Sequence, residues 1–237
     1  MVFLQVKKAN KRFGELAAVK DLSFEVEKGE IFGIAGPNGA GKTTLFNLIC
    51  GMLPGTGEIV FDGRNINGLR PHQICYRGIA RTFQIPLLFS TMTVFENVKV
   101  GAHFGGRGGH NEKENINETI NLVGLQGKEN IIAENLSVFN KKLVMLAAAL
   151  ATRPKLLLLD EPAGGLSPGE VKQSVELIQK INTELGITII VIEHLMKVLM
   201  ELSQRLMILH YGEKICMGPP KEVTADKRVI EVYLGAG

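Results

Sequence analysis

The sequence predicts an α/β fold in which helices cover a parallel β-sheet. Two runs of apolar residues, 156–159 and 187–192, have the composition of strands that are buried on both faces. Between them, residues 171–185 repeat apolar side chains at helical spacing. Alternation of strand and helix is typical of parallel sheets, in which ligands bind at the carboxyl ends of the strands. We therefore expect the functional residues to lie directly after these strands.

The first third of the chain also alternates between predicted strands and a helix. Short apolar or alternating segments bounded by glycine, proline or asparagine occur at 24–26, 31–35 and 57–62, and they predict β-strands. Residues 41–52, between the second and third of these segments, carry apolar side chains at helical spacing. The pattern predicts a strand, a glycine-rich loop and a helix in succession.

The middle of the chain is predicted to be helical. A glycine-dense stretch at 105–109 is followed by the pattern of an amphipathic helix around 116–123. An alanine- and leucine-rich segment at 143–151 predicts another helix. We expect the residues from about 91 to 151 to form a helical subdomain inserted into the α/β core.

Composition argues against several other classes of protein. The chain has 237 residues, of which 45% are hydrophobic, so it is long enough to bury a core. Its 27 basic and 24 acidic residues are mixed without a basic run, which argues against nucleic acid as a partner. Three cysteines far apart offer neither a zinc spacing nor a disulfide framework, which favours a reducing, cytoplasmic setting. The apolar runs are shorter than the roughly 18 residues of a membrane helix, so we expect no span of the bilayer.

A glycine-rich motif lies between the predicted strand at 31–35 and the helix that follows it. Residues 36–43 read Gly-Pro-Asn-Gly-Ala-Gly-Lys-Thr, which matches the phosphate-loop pattern in the context that the pattern requires. Glycines leave backbone N–H groups free to surround phosphate oxygens, and the N-terminus of the helix adds a partial positive charge. The residues expected to contact a nucleotide are Gly36, Pro37, Asn38, Gly39, Ala40, Gly41, Lys42, Thr43 and Thr44.

The last residues of this loop carry the charge and the metal chemistry. We expect Lys42 to neutralise the β- and γ-phosphates of a bound nucleotide. Thr43 offers a hydroxyl oxygen to Mg²⁺, a hard cation that prefers oxygen ligands. ATP and Mg²⁺ are therefore the predicted cofactors.

Two adjacent carboxylates, Asp160 and Glu161, follow the apolar run at 156–159. In phosphoryl transfer, an acidic residue at this position supports Mg²⁺, and a second one can polarise the attacking water. We expect Asp160 to take the first role and Glu161 the second. Acidic residues also end strands as caps or turn starters, but the combination with the phosphate loop favours a catalytic pair.

The two motifs and the spacing between them resemble those of the ABC-transporter ATPases, and the resemblance covers nearly the whole chain. Gln84, in the segment Arg-Thr-Phe-Gln, resembles the family's Q-loop glutamine, which senses Mg²⁺ and the γ-phosphate. His194 resembles the switch histidine that contacts the γ-phosphate, and Phe13 resembles the aromatic residue on which adenine stacks. Residues 163–167 resemble the D-loop, which crosses to the partner subunit. The resemblance implies catalytic roles for Glu161, His194 and Gln84, and metal contacts from Thr43, Gln84 and Asp160.

The resemblance also implies a fold, a division of the chain and a set of partners. The fold is a phosphate-loop NTPase (RecA-like) core with a parallel sheet, an N-terminal antiparallel β subdomain and an inserted helical subdomain. Residues 1–237 form one ATPase domain, with the nucleotide-binding core at about 1–90 and 152–237. The implied partners are membrane-spanning permease subunits, a second ATPase subunit and, indirectly, an extracytoplasmic solute-binding protein. The implied location is peripheral, at the cytoplasmic face of the inner membrane.

Within the family, four segments resemble the branched-chain amino acid import ATPases in particular. They are Arg-Thr-Phe-Gln at 81–84, Met-Thr-Val-Phe-Glu-Asn-Val at 92–98, Glu-Pro-Ala-Gly-Gly at 161–165 and Arg-Val-Ile-Glu-Val-Tyr-Leu-Gly at 228–235. This resemblance implies a subunit that binds and hydrolyses ATP to energise the import of a small solute, in the first place a branched-chain amino acid.

One segment departs from the family pattern. Where members carry the signature Leu-Ser-x-Gly-Gln, residues 136–140 read Leu-Ser-Val-Phe-Asn. Phe139 occupies the place of the glycine that lets backbone N–H groups approach the γ-phosphate held by the opposing subunit, and Asn140 that of the glutamine. We therefore expect a heterodimer with an intact-signature partner, in which one site is competent and the opposite site is weakened. A homodimer stays open as the alternative.

Three other functions stay open at this point. The tail at 228–235 also resembles the lipopolysaccharide-export ATPases. A soluble ABC protein that acts as a regulatory switch without transport is another class, although such proteins usually fuse two cassettes or add coiled coils, and this chain has one cassette and no heptad run. A subunit that only binds nucleotide is disfavoured by the presence of Glu161 and His194.

Overall fold

The computed structural model describes residues 1–105 and 112–234. Its strands are β1 (Val2–Phe13), β2 (Leu16–Glu27), β3 (Ile31–Ala35), β4 (Thr56–Phe61), β5 (Arg64–Asn65), β6 (Ile79–Arg81), β7 (Leu156–Asp160), β8 (Thr188–Ile192), β9 (Arg205–His210) and β10 (Glu213–Gly218). Its helices are α1 (Lys42–Ile49), α2 (Pro71–Arg77), α3 (Val94–Phe104), α4 (Glu112–Leu122), α5 (Val138–Ala151), α6 (Pro168–Leu185), α7 (Met196–Leu202), α8 (Pro220–Ala225) and α9 (Lys227–Leu234), with a short 3₁₀ turn at Ala133–Asn135.

The N-terminal strands form an antiparallel sheet in the order β2-β1-β4-β5. A tight turn joins β1 to β2, so that Phe13 pairs with Leu16 at the end of the hairpin. The strand predicted at 24–26 is the end of the longer strand β2. The sequence pattern does not predict β1, because lysine, arginine and asparagine interrupt the apolar alternation in its second half.

The second sheet has the strand order β10-β9-β3-β8-β7-β6. All neighbouring strands from β9 to β6 run parallel, and β10 is an antiparallel edge strand. The predicted α/β fold with a parallel sheet is therefore confirmed. Because β3, β8, β7 and β6 are neighbours, the loops that follow them lie side by side at one edge of this sheet.

The central strands are buried on both faces because their residues are almost all apolar. In β7, Leu157 and Leu159 pack on one side of the sheet in the core that α5 and α6 share, whereas Leu156 and Leu158 pack on the other side with α1. Close packing on both faces holds the carboxyl end of β7 in a rigid frame. Asp160, the last residue of this strand, has its place fixed by that frame.

The helices α3, α4 and α5 pack against one another in the segment for which the sequence predicts a helical subdomain. α5 begins earlier than the prediction at 143–151, because Ser137 caps it by accepting a 3.2 Å hydrogen bond from the backbone N–H of Asn140. Gly105 ends α3, and the rest of the predicted glycine-dense stretch lies outside the described residues. Across the described ranges, no helix is both long and apolar enough to cross a bilayer.

Candidate active site

The phosphate loop connects the carboxyl end of β3 to the first turn of α1. Two of its glycines are required by close backbone packing, because a Cβ at Gly36 would lie 2.1 Å from the carbonyl oxygen of Leu209, and one at Gly41 would lie 2.1 Å from that of Ala18. The loop therefore fits between β2 and the β9–β10 hairpin only if these positions lack a side chain.

Lys42 is the first residue of α1, and its side chain folds back into the loop. The residue is only 6% exposed, and its Nζ donates hydrogen bonds to the carbonyl oxygens of Gly36 (2.7 Å) and Pro37 (2.9 Å). Burial lowers the pKa of Lys42, and the carboxylates of Glu161 and Asp160 oppose this shift. Phosphate oxygens are stronger acceptors than these carbonyls, so a bound phosphate would draw the ammonium away from the loop.

The first turn of α1 keeps its polar groups open to an anion. Gly41 is the N-cap residue, it supplies no side-chain hydrogen bond, and the first turn contains no acidic residue. Thr43 is exposed and Thr44 is half-buried, while residues 38–39 are exposed at the tip of the loop and Ala40 is buried. The N-terminal N–H groups of the helix and its dipole are thus available to negatively charged oxygens.

Three predicted site residues from different loops meet at the carboxyl edge of the parallel sheet. Gln84 follows β6, Glu161 follows β7 and His194 follows β8. Nε2 of Gln84 donates a 2.7 Å hydrogen bond to Oε2 of Glu161, and Nε2 of His194 lies 2.5 Å from Oε1 of the same carboxylate. Each carboxylate oxygen of Glu161 therefore has one partner, and the three side chains form one polar cluster.

The backbone of Glu161 is strained. Its φ angle is +50°, in the left-handed region that costs a non-glycine residue about 1–2 kcal/mol. Its N–H donates to the carbonyl oxygen of Ile192 (2.9 Å), and its own carbonyl oxygen accepts from the N–H of Gly164 (3.1 Å). These bonds hold a sharp turn after β7, and strained turns of this kind are common at functional sites.

Arg81 is a residue of this site that the sequence analysis does not identify. Its Nη2 donates a 2.7 Å hydrogen bond to Oδ2 of Asp160, with side chains only 5% and 4% exposed, and its Nη1 donates to Oδ1 of Asn47 on α1 (2.5 Å). Burial raises the pKa of Asp160, and the charge and hydrogen bond of Arg81 oppose this shift. An arginine at the end of an otherwise apolar strand, three residues before Gln84, is the signal that could have found it.

Glu193 is a second residue that the sequence analysis does not identify. It is 1% exposed, its Oε1 accepts a 2.6 Å hydrogen bond from the backbone N–H of Ala163, and its Oε2 accepts one from the N–H of His194 (3.1 Å). Burial raises the pKa of Glu193, and its backbone hydrogen bonds oppose the shift. Glu193 thus joins the turn after β7 to the loop that carries His194.

Phe13 lies apart from these residues, at the end of the β1–β2 hairpin. It is 47% exposed, and Nζ of Lys11 lies 5.1 Å from the centre of its ring. The hairpin is linked to the phosphate loop through Ala18 on β2, whose carbonyl oxygen packs against Gly41. An exposed aromatic ring on this hairpin can stack on a planar base, while the loop holds the phosphates.

Phe139 lies in the first turn of α5, and it is half-buried rather than exposed. Its ring packs against the core and lines a small cavity together with Leu143 on the same helix and Ile178 on α6. Ser137, by contrast, remains exposed at the N-terminus of the helix. The altered signature position is therefore accommodated by packing against α6.

The oxygen donors at this edge fit a magnesium ion that arrives with a nucleotide. In the part of the chain that the structure describes, no group of three or more His, Cys, Asp and Glu side chains could hold a metal by itself. Mg²⁺ at nucleotide sites is usually bound through one or two carboxylates together with phosphate and water oxygens. The hydroxyl of Thr43, the carboxylate of Asp160 and the amide of Gln84 are donors of this type.

Two family profiles and several known proteins are similar to this chain in sequence. A family profile described as "ABC transporter" matches residues 19–164, and one described as "Branched-chain amino acid ATP-binding cassette transporter" matches residues 213–237. The chain is 37% identical to the high-affinity branched-chain amino acid transport ATP-binding protein LivG of Salmonella typhimurium, over 94% of each sequence. It is 35% identical to the corresponding protein BraF of Pseudomonas aeruginosa, over 98% of this chain and 97% of that protein.

Solved structures show the same similarity. An ATP-binding cassette of an ABC transporter in its ADP conformation superposes with a TM-score of 0.91 and 31% identity over 99% of both chains. A dimeric ATP-binding cassette in a post-hydrolysis state, bound to ADP and Pi, superposes with a TM-score of 0.83 and 28% identity over 92% of this chain and 98% of that one.

Proposed function

The chain belongs to the ABC transporter family of ATP-binding cassettes, and on this premise we propose that it is the ATP-hydrolysing subunit of a branched-chain amino acid importer. The convergence of Gln84, Glu161 and His194 at the edge of the sheet that carries the phosphate loop supports the ATPase activity. The similarity to LivG and BraF, together with the profile match at 213–237, supports the substrate class.

The phosphate loop binds the nucleotide in this proposal. The backbone N–H groups of residues 36–44 surround the phosphate oxygens, and Lys42 exchanges the carbonyls of Gly36 and Pro37 for the β- and γ-phosphates. The exposed ring of Phe13 stacks on the adenine. ATP binding is therefore accompanied by a movement of the Lys42 side chain.

The polar cluster at Glu161 carries out the hydrolysis. Glu161 accepts a proton from the attacking water, because a carboxylate that lies next to the phosphate loop is positioned to act as a general base. Gln84 and His194 each contact one of its oxygens, and the remaining lone pairs can accept a hydrogen bond from the attacking water. His194 then turns to the γ-phosphate. When Mg-ATP is bound, the oxygens of Thr43, Asp160 and Gln84 would hold the magnesium, which would stabilise the charge on the phosphates.

An exposed apolar surface next to Gln84 supports a membrane partner. Ile85, Leu87 and Phe89 follow the glutamine directly, and each is more than half exposed. Apolar surface of this kind is typical of a protein interface. We propose that a permease subunit docks here, which attaches the chain to the cytoplasmic face of the inner membrane and transmits movement of the Q-loop to the permease.

The departure in the signature supports an unequal pair of ATPase subunits. One site combines the intact signature of a second ATPase subunit with the phosphate loop, Asp160, Glu161 and His194 of this chain. The opposite site contains Phe139, whose Cβ lies where a backbone must approach a phosphate closely. We propose a heterodimer in which the site with this chain's Glu161 hydrolyses ATP and the opposite site is weakened.

Reconstitution of the complete importer tests this function. The chain is purified with its permease subunits, its second ATPase subunit and the solute-binding protein, and is placed in proteoliposomes with ATP inside. We expect ATP hydrolysis that rises when the binding protein carries leucine or isoleucine, with uptake of the same amino acid. Methionine is the comparison substrate, because methionine import ATPases are also similar to the chain, at 35% identity. Stimulation by methionine alone would contradict the proposed substrate class.

A further inference from the structure

Lys142 connects α5 to the turn that carries Glu161. It lies in the second turn of α5, two residues after the Leu-Ser-Val-Phe-Asn segment at 136–140. The residue is 8% exposed. Its Nζ donates a 2.8 Å hydrogen bond to the carbonyl oxygen of Glu161 and a 3.3 Å hydrogen bond to that of Pro162. The helix that begins with the altered signature therefore touches the backbone of the proposed catalytic residue in the same chain.

Glu193 contacts the same turn through a backbone N–H. This carboxylate accepts from the N–H of Ala163 (2.6 Å), while Lys142 takes the two preceding carbonyl oxygens. The carbonyl oxygen of Glu161 also accepts from the N–H of Gly164 (3.1 Å). A buried cation and a buried anion thus fix the polar backbone groups of three consecutive residues, beginning with the one whose φ angle is +50°.

A lysine at this position needs a reason beyond packing. Its neighbours in the cavity between α5, α6 and β7 include Leu143, Leu146 and Ile178, so an apolar side chain of similar volume would suit the surroundings. Such a side chain would, however, leave the carbonyl oxygens of Glu161 and Pro162 without this donor and Glu193 without a nearby cation, so the polar contacts account for the lysine. Burial lowers the pKa of Lys142, whereas the charges of Glu193 and Glu161 favour its charged form.

We propose that Lys142 is a positioning residue, which fixes the strained backbone of Glu161 so that its carboxylate points to the water that attacks ATP. This inference rests on the proposed role of Glu161 as general base. It gives the altered signature helix a function for its own chain's nucleotide, in addition to whatever it presents to the partner's. A shift of α5 then changes hydrolysis at Glu161 directly, through two hydrogen bonds.

The test compares variants of Lys142 in the purified importer complex. Lys142→Met keeps most of the volume and removes all three donors, whereas Lys142→Arg keeps a cation with several donors. Because a misplacement of about 1 Å can lower a rate by up to about 100-fold, we expect Lys142→Met to lower kcat about 10- to 100-fold. The affinity for a fluorescent ATP analogue should change by less than about threefold, since the backbone of the phosphate loop is untouched. Lys142→Arg should recover most of the lost rate.

A matched control removes a lysine from α6. Lys180 is about half exposed and pairs with Glu184 at 4.0 Å, so Lys180→Met should leave kcat, ATP affinity and Tm close to their original values. Lys142→Gln is measured in parallel. Its side chain is too short to reach the carbonyl oxygens of Glu161 and Pro162, so its kcat should also fall. This variant provides a second value of kcat if Lys142→Met folds poorly.

Two results would overturn the inference. If Lys142→Met or Lys142→Gln keeps the original kcat and only Tm falls, the lysine is structural and the proposal is wrong. The same complex with Glu161→Gln separates this failure from that of the proposed function. If Glu161→Gln loses hydrolysis while Lys142→Met keeps the original kcat, only the positioning role of Lys142 is rejected. If Glu161→Gln hydrolyses ATP at the original rate, the role of Glu161 is rejected, and the inference about Lys142 with it.

Discussion

Replacement of Arg81 by methionine should destabilise the fold because it leaves a buried carboxylate without its main partner. The side chains of Arg81 and Asp160 are 5% and 4% exposed and lie 2.7 Å apart. Loss of one member of such a buried pair typically costs about 3–5 kcal/mol. For a domain of this size, a loss of that magnitude lowers Tm by roughly 6–20 °C. Urea unfolding followed by circular dichroism measures the free energy of unfolding of Arg81→Met against the original chain.

The pH dependence of this loss has a predicted sign. Burial raises the pKa of Asp160, and Arg81 opposes the shift, so its removal raises this pKa further in the folded state. An aspartate in the unfolded chain has a pKa of about 3.9. The penalty therefore grows as the pH rises through the folded-state pKa, and we expect the loss in unfolding free energy to be smaller at pH 5 than at pH 8.

A surface pair provides the matched control. Lys155 and Asp62 lie 2.6 Å apart, but their side chains are 47% and 41% exposed, so Lys155→Met should cost no more than about 1 kcal/mol. The double variant Arg81→Met/Asp160→Asn should recover part of the stability, because the uncompensated charge is gone. If Arg81→Met costs no more than Lys155→Met, the reasoning about the buried pair is wrong.

Three further predictions concern the nucleotide. Lys42→Met should weaken binding of a fluorescent ATP analogue about 10- to 100-fold, because charge-assisted hydrogen bonds contribute about 1.5–3 kcal/mol each, and an unchanged dissociation constant would contradict the role of the lysine. Phe13→Ala should weaken the same binding about tenfold through loss of base stacking of about 1–3 kcal/mol, whereas Phe13→Tyr should keep it; equal affinities for both would remove Phe13 from the site. Phe139→Gly is tested in an importer in which Glu161→Gln has inactivated the site that contains this chain's phosphate loop. The residual ATPase rate, which comes from the opposite site, should rise because a residue without Cβ permits close approach of the backbone to phosphate. An unchanged rate would show that Phe139 does not limit the opposite site.

The parallel sheet and its loop were predictable because their sequence signals are local. The apolar runs that become β7 and β8, and the glycine motif between β3 and α1, depend on residues that are neighbours in the chain. The antiparallel strand β1 is harder to predict, because its charged second half has no apolar alternation. This half lies on a partly exposed hairpin, where pairing with β2 determines the structure.

The sequence predicts the residues of the polar cluster but not the residues that support them. Glu161 and His194 follow strands that the sequence predicts, so their meeting follows from the topology of the sheet. Gln84 follows β6, a strand that the sequence pattern does not predict, and only the family resemblance indicates this residue. The supporting residues Arg81 and Lys142 contact their partners across 79 and 19 residues of chain respectively, so the sequence does not show which groups they contact. The inward packing of Phe139 was likewise unpredictable, because it depends on the shape of the cavity beside α6.

The central claim is that Glu161 of this chain activates the water that attacks ATP held in its own phosphate loop. The most direct measurement is steady-state ATP hydrolysis by the complete importer with Glu161→Gln in this chain alone, together with the amount of ATP retained. We expect the rate to fall at least about 100-fold, in the range typical for loss of a general base, while ATP stays bound to the complex. Hydrolysis at the original rate would contradict the claim.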